Sequence, residues 1–182
     1  MCGNIPTDDS VKKLGVPLAS KCLCCAFPDV KLNVGGACRG NPGVGGGGGI
    51  IRNGEGKILA AFANYYGACN NSIAVFRALR DGLKLCAEMG FSDSSLVVHS
   101  VSTKRCNIWK GWYWFHEIMT LVQALRPMVT FTFREGNRAA DWLANYACDS
   151  VSSTTFTDWA DTPTDLRKII WEDAAGLPVI RT

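Results

Sequence analysis

From Lys31 onward the polar and apolar residues settle into recognisable periods. Lys31-Leu32-Asn33-Val34 alternates, which predicts a strand over 31–37. Arg39-Gly40-Asn41-Pro42-Gly43 has the composition of a turn. Residues 48–52 and 57–65 read as two more strands around Asn53-Gly54-Glu55-Gly56, a hairpin signal. Asn70-Asn71-Ser72 offers caps for a helix that runs to Met89 with Phe76, Leu79, Leu83 and Cys86 on one face, and Gly90 stops it. Residues 95–100 read as a short buried strand. A second helix over 112–125 places Phe115, Ile118, Met119, Val122 and Leu125 at helical spacing, and Pro127 bars its continuation. Residues 128–133 alternate again, and 137–148 form an amphipathic helix. Three leading strands suit an antiparallel meander, and the later alternation of helix and strand suits parallel additions. The expectation is an α/β fold with a mixed five-stranded sheet, three strands antiparallel and two parallel, flanked by helices.

Residues 1–28 are weakly patterned and are expected to form a loose cysteine-containing leader, 29–150 the folded domain, and 151–182 a tail rich in Ser, Thr and Asp with one apolar patch around Leu166 to Trp171. A formal charge of +3 is mildly basic. It is compatible with nucleic acid, and equally with an ordinary solvated surface. Nine cysteines are many for 182 residues. Cys22, Cys24 and Cys25 have no second cysteine pair to complete a zinc site, and His99 and His116 are remote. The first residues show no apolar run behind their charges, so no secretory signal is expected, the thiols are taken as reduced, and an intracellular location (cytoplasm or nucleus) follows. No apolar run is long enough to span a membrane, and nothing signals a protein partner.

Four strings carry a resemblance: KLNVGGACRGNPG, GGGGIIRNGEGKILAAFANYYGACNN, AVFRALRDGLKL and FREGNRAADWLAN. Together with the element order they resemble the ribonuclease H family, and within it the reverse-transcriptase-like ribonuclease H domains derived from plant non-LTR retroelements. The resemblance covers roughly residues 30–148. It implies the ribonuclease H-like fold, cleavage of the RNA strand of RNA–DNA hybrids, and paired divalent ions, usually Mg2+, held by four carboxylates. Hard magnesium ions prefer oxygen ligands, and two of them ~4 Å apart stabilise both the attacking and the leaving oxygen of an in-line displacement.

The same resemblance locates those carboxylates. In Asn33-Val34-Gly35-Gly36-Ala37 the first position holds Gly35. In Ala74-Val75-Phe76-Arg77-Ala78-Leu79 the second holds Val75. In His99-Ser100-Val101-Ser102 the third holds Val101. The fourth survives as Asp141, which alone would be a weak magnesium site. A helix of about two turns that family members carry after the fourth strand is also missing between Ser102 and Cys106. The expectation is a catalytically inactive domain that still binds RNA–DNA hybrid or RNA. The competing readings are a ribonuclease with residual activity, and an interaction module or decayed retroelement product.

For binding, the resemblance points to Arg39, Gly40 and Asn41 in the turn, Asn71 before the first helix, and Asn137 and Arg138 at the start of the last one. Lys104, Arg105 and Lys110 with Trp109, Trp112 and Trp114 resemble a basic–aromatic patch, although tryptophans beside a helix more often fill core. Of the spare carboxylates, Glu55 is expected in a turn, Asp81 on an exposed helical face and Asp93 in a loop. The run Gly45 to Gly49 does not have the spacing of a phosphate loop. Glycines entering a strand signal close backbone approach or a bulge.

Overall fold

A computed structural model describes residues 22–26, 30–91, 112–132 and 134–175. Six strands form one sheet: β1 (Cys22–Ala26), β2 (Val30–Arg39), β3 (Gly43–Asn53), β4 (Ile58–Cys69), β5 (Met128–Thr132) and β6 (Thr154–Phe156), in the spatial order β5-β1-β2-β3-β4-β6. Four α-helices accompany them: α1 (Asn71–Glu88), α2 (Trp112–Leu125), α3 (Arg138–Ser150) and α4 (Thr164–Ala174). A 3-10 turn, Arg134–Asn137, leads into α3. Among the described residues no helix is long and apolar enough to cross a membrane.

The period-two pattern sorts the sheet's side chains between two faces. Leu32, Val34, Ile51, Ala60 and Phe62 share a core with Ile73, Ala78, Leu79 and Leu83 of α1 and with Ile118 and Leu125 of α2. Ile50, Ala61 and Ala63 face the other way, against Leu143 and Ala147 of α3, Phe156 of β6 and Leu166 and Ile170 of α4. Helix α1 starts where its sequence says it should: the Asn70 side chain accepts a 2.9 Å hydrogen bond from the Ile73 amide. Gly90, at φ +78°, ends it.

The expected mixed five-stranded sheet needs correction. Every pairing among the described strands is antiparallel. The cause is β1, which comes from the segment expected to be a loose leader. It pairs with β2 from Leu23 opposite Val34 to Ala26 opposite Lys31, and with β5 on its other side. Only residues 27–29 separate β1 from β2, and so short a connection makes antiparallel neighbours. Strand β5 therefore runs in the same direction as β2, but one strand removed. The expected strand over 95–100 lies outside the described residues. The region taken as a tail is also part of the fold: β6 adds to the edge of β4, and Leu166 and Ile170 of α4 are buried.

The glycine run lies inside β3 and allows the close approach its composition predicts. Helix α3 lies directly on it. A Cβ at Gly46 would sit 2.7 Å from the Ala144 carbonyl oxygen, and one at Gly48 would collide with Leu143 and Ala144. On the opposite face, side chains at Gly47 and Gly49 would strike the rings of Tyr66 and Phe62. The pairing register with β4 also shifts between Gly45 and Gly46. Because the Leu143–Ala144 backbone lies in the way and cannot turn aside, Gly48→Val is expected to destabilise the fold by ~3 kcal/mol or more, at or beyond the upper end of ordinary overpacking. Gly54→Ala, with open space around it, should stay within ~0.5 kcal/mol of the parent. Urea denaturation of the two variants checks the contrast.

Candidate nucleic-acid site

Strand β2 brings three of the four mapped positions together. Gly35 faces α3: a Cβ there would lie 3.4 Å from the carbonyl of Ala140 and from the amide of Asp141. The next residue, Gly36, faces α1 and packs directly against the backbone of Ala74 and Val75. Asp141 sits in the first turn of α3, where a carboxylate is favoured by the helix dipole. The fourth position, Val101, lies outside the described residues, as does His99.

A pair of buried amides fixes this arrangement. The Asn33 side chain donates to Asn137 Oδ1 at 3.0 Å, and Asn137 Nδ2 donates to the Val34 carbonyl at 3.0 Å. Asn33 is 6% exposed and Asn137 2% exposed. Together they tie the entrance of α3 to the strand two residues before Gly35. This corrects the expectation for Asn137, which is a buried anchor with no surface to offer a nucleic acid. Asn33 was not anticipated at all, because strand alternation alone reads it as a solvent-facing polar residue. Its partner lies 104 residues away and only folding brings it near. Arg138 is partly buried and paired: its guanidinium meets Glu172 at 2.7 Å, with Asp173 3.8 Å away, and Arg52 takes the same Asp173 at 3.1 Å. Helix α4, expected to be tail, consumes that charge.

Paired magnesium ions, as the resemblance implies, need several converging oxygens. Positions 35 and 75 carry no side-chain oxygen, which leaves Asp141 as the acid of the set among the described residues. No group of three or more His, Cys, Asp or Glu among those residues is disposed to hold a metal ion. The described residues therefore do not fit a two-ion site. The spare acids among them do not repair it. Glu55 is exposed in the β3–β4 turn. Asp81, expected on an exposed face, is only 12% exposed because Tyr66 and Asn64 of β4 reach it at 2.8 Å and Arg80 pairs with its other oxygen. Burial first, then the Asp81 carboxylate, pushes the Tyr66 hydroxyl well above its ordinary pKa, so it remains a donor. Asp93 lies outside the described residues.

The other predicted contacts gather at the far end of β2. Arg39, Gly40 and Asn41 form the exposed β2–β3 turn, with Gly40 at φ +79°. Asn41 Oδ1 accepts from the Asn71 amide at 3.1 Å, which joins the turn to the start of α1. Arg39 forks onto Asp149, donating from Nη2 to both carboxylate oxygens at 2.8 Å and from Nε to Oδ1 at 3.2 Å. That pair is more than half exposed on both sides and is worth little to stability. From Asp141 to Asp149 is eight residues of α3, roughly 12 Å along its axis.

This geometry agrees with comparisons to known proteins. Residues 33–147 match the model of the reverse transcriptase-like family, which is most of the described domain. The chain belongs to that family. Its domain is ribonuclease H-like. A provisionally named ribonuclease H protein of Arabidopsis thaliana is 29% identical over 161 residues, 81% of this chain but only 24% of the relative. The chain thus spans about a quarter of that protein's length. The ribonuclease H of Dichelobacter nodosus is 28% identical over 148 residues, 70% of this chain and 97% of the relative. Among solved structures, the N-terminal RNase H domain of a Mycobacterium tuberculosis protein, crystallised as a fusion with maltose-binding protein, superposes with a TM-score of 0.57 at 28% identity, covering 65% of this chain and 92% of that one. LC11-RNase H1, solved in complex with an RNA/DNA hybrid, gives 0.55 at 25% identity, covering 65% and 95%.

In this reverse transcriptase-like domain the basic–aromatic patch resolves only in part. Trp114 packs against the α1 core with the Arg77 guanidinium 5.5 Å from its ring. It is half-buried at the margin of that core. Lys104, Arg105, Trp109 and Lys110 lie outside the described residues. The amide pair gives a direct test. Asn137→Ala takes the acceptor from the buried Asn33 amide and a donor from the Val34 carbonyl, so the expected cost is ~2 kcal/mol. Chemical denaturation reads it, and a loss below ~0.5 kcal/mol would contradict the anchoring role.

Proposed function

We propose that this ribonuclease H-like domain binds RNA–DNA hybrid, or RNA, without appreciable cleavage. The observation that carries the reading is Gly35: a residue with no side-chain oxygen faces the backbone of Asp141, where the family resemblance calls for the central metal ligand. Val75, beside Gly36, deepens the deficit. Loss of even an outer partner of a metal costs ~10- to 100-fold. Removal of several direct ligands is expected to cost on the order of 10³ or more, allowing for non-additivity. A solitary Asp141 holds Mg2+ weakly, because one carboxylate cannot offset the dehydration of a small dication.

Support for binding comes from the structural neighbour solved with an RNA/DNA hybrid and from the exposed turn Arg39-Gly40-Asn41 beside Asn71. Among the described residues the Arg39 guanidinium pairs with an exposed, solvent-screened Asp149, and a phosphate can take it over at small cost. The turn also presents backbone and amide groups suited to sugar hydroxyls. Asn137 is too buried to present itself there, and Arg138 is paired with Glu172.

A labelled hybrid titrated with the protein in Mg2+ or Mn2+ tests both halves. The expected outcome is binding that weakens as salt rises, with cleavage absent or at least 10³-fold below an intact ribonuclease H. Cleavage near the rate of an intact enzyme, abolished by Asp141→Asn, would overturn it. Arg39→Ala should weaken binding and flatten its salt dependence. Gly35→Asp combined with Val75→Glu and Val101→Asp should restore some metal-dependent cleavage, since a Cβ at 35 meets its neighbours only at ordinary contact distance.

A further inference from the structure

The ends of β2, β3 and β4 bring together two cysteines that the binding proposal does not use. The Cys38 sulfur lies 2.7 Å from the Gly40 carbonyl oxygen and 3.0 Å from that of Cys69. Cys38 is paired across the sheet with Gly45. The Cys69 sulfur fills the space above that same glycine, where any Cβ on residue 45 would overlap it. The missing side chain of the middle strand thus opens a gap in which thiols from the two flanking strands meet. Cys38 is partly exposed and Cys69 is buried. Cys148, on α3, is turned instead towards the carbonyls of Ala37 and Val44 at 3.8 and 3.6 Å.

We propose that Cys38 and Cys69 are an oxidation site whose disulfide reseats the Arg39–Asn41 turn and so weakens nucleic-acid binding. The chemistry takes a peroxide as oxidant. The Cys38 thiolate attacks the O–O bond, an S–O bond forms, the leaving hydroxide takes up a proton as water, and Cys38 becomes a sulfenic acid. The Cys69 sulfur then attacks that sulfur. The S–S bond forms, the S–O bond breaks, and the departing hydroxide leaves as a second water with the proton Cys69 gives up. The order follows from access: Cys38 meets the oxidant, while burial, and then the neighbouring Cys38, push the Cys69 thiol up to about 11 and keep it protonated until a sulfenic acid is presented.

The geometry ties this reaction to the binding turn. The 3.0 Å contact from Cys38 Sγ to the Cys69 oxygen places the two Cα atoms within roughly 8 Å by ordinary bond lengths. A relaxed disulfide spans ~4.4–6.8 Å. Closing the bond fixes the end of β4 to β2 within that narrower span. Asn70, the cap of α1, follows Cys69 directly, and Asn71 is bonded to Asn41. The thiol also gives up its contacts to Gly40 and Cys69. Both supports of the turn shift at once.

The regulatory half rests on the binding proposed above, whereas the disulfide itself does not, so the two are read separately. The reduced full chain is titrated with hydrogen peroxide, alkylated, digested and mapped by mass spectrometry. The expected first product joins the Cys38 and Cys69 peptides. It is lost in Cys38→Ser and Cys69→Ser and kept in Cys148→Ser. Coupling of Cys38 to another cysteine, or its advance to sulfinic acid while Cys69 remains alkylatable, overturns the site. Hybrid affinity of the parent should fall severalfold on oxidation and recover with a dithiol reductant, while Cys69→Ser, which folds with the same gap, should not show the reversible fall. A linked product with unaltered hybrid affinity overturns the regulation. Reduced protein that binds no hybrid sinks the binding proposal and leaves the disulfide to the mapping.

Discussion

Close contact between a glycine strand and an alanine helix holds this domain together. Ala140, Ala144 and Ala147 of α3 are fully buried, and the helix backbone around Ala144 lies almost directly on Gly46 and Gly48, while that of Ala140 faces Gly35. Larger side chains on either element would force the helix away from the sheet. Dispersion contacts fall off within an ångström of the optimum, so the gain is available only to residues that have little or no side chain. The other face of β3 repeats the device, with the rings of Tyr66 and Phe62 occupying the room above Gly47 and Gly49. The glycine half of the middle strand contributes backbone hydrogen bonds and space, and its neighbours there contribute the apolar area.

That packing also decides how the candidate site is built. With α3 pressed onto β3, its entrance meets β2 at Gly35, and the Asn33–Asn137 pair locks the junction in a place where water cannot compete. A buried amide pair of this kind costs free energy if either member is lost. It ties the entrance of α3, just before Asp141, to β2 even though Gly35 and Val75 bring no ligands there. Most other charges near the fold's seams are committed. Arg138, Arg52, Glu172 and Asp173 pair across α3, β3 and α4, and Asp81 is held by Tyr66, Asn64 and Arg80. The turn at Arg39 is different, since its one ion pair is exposed and easily exchanged.

Much of the fold can be read along the chain. The helix over 112–125 appears at Trp112–Leu125, and Asn70 caps α1 as the Asn-Asn-Ser cluster indicates. Local signals sufficed for both, because a cap or an apolar stripe is set by residues within a few turns. Where the reading failed, the deciding contact was distant. Cys22–Ala26 is too short and irregular to announce itself, and becomes a strand only because β2 and β5 offer it hydrogen-bonding edges. Thr154–Phe156 gains its identity from β4 in the same way. Asn137 and Arg138 sit in a string that resembles a binding motif, yet the first is buried against β2 and the second is taken by α4.

The sequence by itself determined the family, the glycine requirement of β3, most helix limits, and the absence of oxygen at positions 35 and 75, because each is a property of residue type or of short-range spacing. Tertiary structure alone decided the strand order with β1 between β2 and β5, the inclusion of the C-terminal segment in the core, and the meeting of Cys38 with Cys69 over Gly45. The physical reason is one of range. Propensity and periodicity act over a few residues, whereas pairing edges, buried amides and thiol contacts depend on segments tens of residues apart arriving at the same place.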